Sequence, residues 1–86
     1  MAEIRSKADF VDELFNFYTK VVDPNSDIVD MFYEHIDGHE EWVYVTYSTG
    51  AQKRFCVTCD NRKGILSDFN RFIQHPNDFG WLREVK

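Results

Sequence analysis

Apolar side chains recur at three- and four-residue steps early in the chain, at Phe10, Val11, Leu14, Phe15, Phe17, Tyr18, Val21 and Val22. That period predicts an amphipathic helix over about residues 7–22, entered through Ser6 and Asp9 at capping-box spacing and stopped at Pro24. After the turn DPNSD the pattern changes. The stretch IVDMFYEHIDGHEEWVYVTYSTGAQKRFCVTCD is rich in β-branched and aromatic residues and is broken at Asp37-Gly38 and Thr49-Gly50. Three antiparallel strands are expected there, at about 28–36, 41–48 and 53–59, joined by short hairpins. Helical spacing returns in Ile65, Leu66, Phe69, Phe72 and Ile73, predicting a second helix over about 62–74 that is capped by Asn61 or Asp60 and ended by His75-Pro76. The tail keeps Phe79, Trp81, Leu82 and Val85, too much apolar area to leave loose, and is expected to pack back as a short helical turn. The fold class is α+β: one domain over residues 1–86, a helix, a three-stranded antiparallel meander and a helix, both helices on one face of the sheet.

Alternation sorts the strand residues by face. Val43, Val45 and Tyr47 are assigned to the core with Phe55, Val57 and Cys59. Trp42, Tyr44 and Thr46 then point away from it with Arg54, Cys56 and Thr58. In the first strand Val29, Met31 and Tyr33 suit the core, leaving Asp30, Phe32 and Glu34 outside.

Composition supports one small core rich in large rings, since 16% of the 86 residues are aromatic. No apolar run approaches the roughly 18 residues that span a bilayer, and the N-terminus has no signal-peptide pattern. Two cysteines close in sequence do not staple a secreted fold. A soluble, cytoplasmic protein without a membrane partner is the expectation.

Charge adds more. The net charge of −5 divides into −8 over the first fifty residues and +3 over the rest, and no Lys or Arg occurs between Val21 and Gln52. Such a chain has an acidic side, which bears on partner choice more than on fold.

His35, His39, Cys56 and Cys59 have the chemistry of a two-His, two-Cys zinc set. Geometry argues against it, because Cys56 and Cys59 are an odd number of positions apart and leave opposite faces of a regular strand. No metal and no cofactor are expected. The chain also lacks a Gly-rich phosphate loop, a serine elbow and a His that can be set beside a nucleophile, so it reads as non-enzymatic.

Lys53, Arg54, Arg62, Lys63 and Arg71 place cations in the third strand and second helix. With the order helix, three strands, helix, they give the chain a likeness to double-stranded RNA-binding domains. That resemblance implies phosphate contacts from the start of the second helix. The chain departs from it in having only Arg62-Lys63 as its basic run and in being acidic overall.

The outer sheet face is the other candidate. On this register it combines Ile28, Phe32, Trp42 and Tyr44 with Asp30, Glu34, Glu40 and Glu41, and Asp37 lies at the adjoining hairpin. An aromatic patch rimmed by acids suits binding to a basic protein. Two other fates for these rings are a covering C-terminal segment carrying Trp81 and a homodimer contact. In size, acidity and layout the chain resembles phage-encoded anti-CRISPR proteins, on the acids Asp30, Glu34, Asp37, Glu40 and Glu41. The resemblance implies an inhibitor that mimics a nucleic acid and occupies the groove of a nucleic-acid-processing effector.

Overall fold

The helical period of the first segment produces α1 (Lys7–Phe17), whose Val11 and Leu14 are buried. The helix then widens into a π turn over Tyr18–Val22, closed by the bond from the Asp23 amide to the Tyr18 carbonyl at 2.7 Å. Each residue of an i→i+5 turn advances less than the ~100° of an α-helix, so the inward stripe is lost. Val21 and Val22, expected in the core, are exposed instead, as is Phe17. The computed structural model describes residues 7–37, 40–57 and 61–83 of the chain. Expectations resting on Ser6, His39, Thr58, Cys59, Asp60 or Val85, or on the side chain of Asp37, lie outside the described residues.

Three long strands follow: β1 (Ile28–Asp37), β2 (Glu40–Tyr47) and β3 (Gln52–Cys56). A turn at Ser48–Thr49 joins β2 to β3, and Gly50 completes it at φ 94°, a left-handed conformation that glycine adopts without a Cβ clash. Next comes α2 (Arg62–Gln74), opened by Asn61, whose side chain accepts a 2.7 Å bond from the Gly64 amide. A 3₁₀ turn at Pro76–Asp78 then leads into β4 (Trp81–Arg83). The tail is therefore extended, and the meander has four strands in the order β1-β2-β3-β4, where a three-stranded meander and a helical turn were expected. The outer edge of β3 is the reason: Gln52 and Lys53 pair with Arg83 and Trp81, which satisfies backbone groups that an edge strand would leave open.

Both helices pack on one face of the sheet. Val11 and Leu14 of α1 and Ile65, Phe69 and Phe72 of α2 share a single core with Ile28, Met31, Val43, Val45, Phe55 and Val57. Rings dominate its centre: Phe55 lies 5.3 Å from Phe72, and Tyr18 meets Phe69 edge-on at 5.2 Å. The predicted alternation holds through β2 and β3. In β1 it fails at the start, because a bulge lets two residues, Ile28 to Asp30, span one step of β2. The extra residue reverses the faces, so Ile28 is buried and Val29 exposed, the opposite of the expected placement. No described helix is long and apolar enough to cross a membrane.

Candidate functional site

Three cross-strand rows build the sheet face turned away from the helices: Glu34–Trp42–Cys56, Phe32–Tyr44–Arg54 and Asp30–Thr46–Gln52. The middle row carries the rings. Phe32 stacks on Tyr44 with centroids 4.9 Å apart and planes 10° from parallel. Arg54 leans diagonally over Trp42, its guanidinium carbon 3.8 Å from the ring centroid, and stands 6.0 Å from Tyr44. A long 3.4 Å bond joins the guanidinium to the Tyr44 hydroxyl. The indole nitrogen of Trp42 is shut off from solvent without a hydrogen-bond partner. Phe32 keeps 41% of its surface exposed.

None of the described C-terminal residues covers these rings. Trp81 packs on Tyr47 at 5.7 Å and under Lys53, both on the helix side. The covering role expected of Trp81 is thereby corrected: β4 lengthens the sheet sideways, and among the described residues the outer face stays open.

The acids do not all gather on that face. Asp30, Glu34 and Glu40 are exposed and make no ion pair among the described residues. Glu41, expected outside, has the parity of Val43 and Val45 and turns to the helix side. There it pairs with Lys7 and accepts a 2.6 Å bond from the Tyr33 hydroxyl. Asp37 pairs through its backbone with Glu40 across the hairpin. Ile28, also assigned to the outer face, is a core residue.

The cations proposed as a phosphate-binding set are scattered. Lys53 is 4% exposed, sits opposite Val45 on the core side and donates to the Pro76 carbonyl at 2.6 Å. Arg54 is occupied by the aromatic face. Arg62 and Lys63 are exposed in the first turn of α2, with Arg62 5.9 Å from the Phe10 ring. Arg71 is exposed in the last turn. Nine residues at ~100° each put Arg71 half a turn away from Arg62, on the opposite side of the helix. No single surface collects these five residues.

His35 has the parity of Glu41 and Tyr33 and belongs to the helix side, whereas exposed Cys56 lies in the outer row with Trp42. The two therefore diverge. Among the described residues no group of three or more His, Cys, Asp or Glu side chains could hold a metal ion.

Two concavities lie elsewhere. A groove of about 600 Å³ runs between the end of α1 and α2, floored by Leu14 and Phe69 and edged by Phe17, Val22, Leu66 and Ile73. The π turn makes it, by withdrawing Val22 from the core, and apolar spacing carries no signal for such a turn. A smaller pocket of about 300 Å³ includes Tyr18, Asp23, Asp27 and Tyr47. Burial raises the Tyr18 hydroxyl above its usual pKa, aided by the charge of Asp23, which accepts a 3.5 Å bond from it. Tyr47 is raised in the same way, mainly by burial and then by its neighbours Tyr18 and Asp27.

Compared with known protein families, curated proteins and solved structures, the chain matches none.

Proposed function

We propose that this chain is a non-enzymatic binding protein whose outer sheet face docks on a basic protein and inhibits it by occupying a site that serves a nucleic acid. The observation that carries this reading is the uncovered Phe32–Tyr44 stack with unpaired carboxylates at Asp30, Glu34 and Glu40 around it. Rings supply area that is worth burying, while the carboxylates supply a field of the sign a phosphate backbone presents. The likeness in layout to anti-CRISPR proteins makes a CRISPR effector nuclease the first partner to try.

The test is competitive binding. Wild-type protein and a D30K/E34K/E40K variant are immobilised and offered a candidate nuclease at rising salt. Wild type is expected to retain it, to release it as salt increases and to lose it to duplex nucleic acid, while the variant does not hold it. Equal retention by the variant would reject the reading. Glu41 is left intact, because reversing it would strike the Lys7 and Tyr33 contacts and confuse a folding defect with a binding one.

A nucleic-acid-binding module like a double-stranded RNA-binding domain is the second reading. It is favoured by one observation, the exposed Arg62 and Lys63 at the start of α2. It predicts a gel shift of duplex RNA at low salt that disappears in R62A/K63A; no shift under those conditions removes it.

A further inference from the structure

We infer that the outer face reads arginine in its partner, as distinct from positive charge in general, and that the seat is the exposed ring of Phe32 between Asp30 and Glu34. This rests on the proposed function, since it names the side chain by which the basic partner is recognised.

The chain itself displays the interaction. Arg54 lays its guanidinium against Trp42 on this same face and bonds the Tyr44 hydroxyl, so the ring surface already takes one planar cation. Phe32 lies on the same face, with one side of its ring spent on Tyr44. β1 is an edge strand, so among the described residues no strand lies on the side of Phe32 away from Tyr44. An incoming guanidinium would take the open face of Phe32 as Arg54 takes that of Trp42.

The flanks supply the counter-charge. Asp30 and Glu34 stand two positions before and after Phe32 on the same strand and the same face, each about 7 Å along the strand. Both are exposed and neither is committed to an ion pair among the described residues. A planar guanidinium over Phe32 can reach either carboxylate with its in-plane N–H groups while its face stays on the ring. An ammonium is a compact, more strongly hydrated point charge with no flat face to lay on the ring, so it gives up more hydration to reach ring and carboxylate together. Arg54 cannot fill the seat itself, because it is held two strands away over Trp42.

Two peptides of equal length and charge, one alternating Arg with Gly and one alternating Lys with Gly, are titrated into the full chain at low salt, with binding followed by calorimetry. The Arg peptide is expected to bind about two- to fivefold more tightly, a gain on the order of one exposed cation–π contact. Phe32→Leu should bring the two peptides level, Phe32→Tyr should keep the preference, and D30N/E34Q should weaken both peptides. Circular dichroism confirms that each variant is folded.

Equal binding of the two peptides to wild type would overturn the inference while leaving a basic partner in place. A preference that survives Phe32→Leu would overturn the seat. Failure of both peptides to bind would count against the proposed function as well. Sedimentation across a concentration series covers the remaining occupant: self-association that Phe32→Leu abolishes would assign the face to a second copy and overturn the inference.

Discussion

Lys53 donates its ammonium to the carbonyl of Pro76 across 23 residues of sequence, at 2.6 Å and almost without contact to solvent. Its stem crosses the core side of the sheet opposite Val45, and the Trp81 ring lies 4.4 Å from the ammonium nitrogen. One side chain thus ties β3 to the turn after α2 and to the edge strand β4. Lys53→Ala is expected to cost about 2–3 kcal/mol, a charged hydrogen bond lost together with the packing of a buried stem. Lys53→Met keeps the stem and should recover part of that. Urea unfolding of the three proteins measures the order, and a Lys53→Ala midpoint equal to wild type would show that the contact does not hold β4.

The acidic hairpin should separate into a structural residue and solvated ones. Glu41→Ala takes a charged partner from half-buried Lys7 and the acceptor of the Tyr33 hydroxyl, which predicts a loss of about 1–2 kcal/mol. Glu34→Ala and Glu40→Ala remove exposed, unpaired charges and should stay within about 0.5 kcal/mol of wild type. Equal effects at all three positions, read from thermal melting, would contradict this division.

The two periodicities were legible because each face buries a continuous apolar set, and the register of β2 against β3 followed from it down to the Trp42, Tyr44 and Arg54 face. Val29 was misplaced for a physical reason. Ile28 and Val29 are both branched and apolar, so nothing in their order distinguishes a bulge from a regular strand. Lys53 and Glu41 illustrate the opposite case. Their parity with Val45 and Val43 points inward while their charge points to solvent, and the structure follows the parity. What makes both tolerable inside is a partner distant in sequence, Pro76 for one and Lys7 for the other, which no local pattern announces. β4 was hidden for a similar reason, since three residues become a strand only when an open edge is there to meet them.

The entry to α2 offers a cleaner test of local physics. Asn61 accepts the Gly64 amide at 2.7 Å, satisfying one of the free donors of the first turn. Asn61→Ala should cost about 1 kcal/mol. The first turn contains Arg62 and Lys63 and no acid, so cations sit at the positive end of the helix dipole. Asn61→Asp is therefore expected to match or exceed wild-type stability, with the gain shrinking in high salt. Denaturant midpoints at two ionic strengths decide it, and a destabilised, salt-insensitive Asn61→Asp would refute the electrostatic part.

Alkaline pH should loosen the junction between the π turn and the sheet, because burial raises the hydroxyl pKa of both Tyr18 and Tyr47 in the folded chain. An unfolded tyrosine ionises near pH ~10. Below that value both states keep the proton, and the stability the two groups contribute is fully present. As pH climbs past ~10 the unfolded chain releases its tyrosine protons first, binds fewer than the native state and is favoured. The contribution therefore declines with rising pH and is lost through the folded-state values. Lysines titrate in the same range, so the diagnostic quantity is a difference in slope. The urea midpoint of wild type is expected to fall more steeply above pH ~10 than that of Y18F/Y47F, which keeps both rings and removes both titrating protons. The phenolate absorbance of wild type should show a late-ionising fraction that the double variant lacks. Parallel slopes would mean that these hydroxyls ionise alike in the folded and unfolded chains, and that the pocket around Asp23 and Asp27 does not hold them neutral.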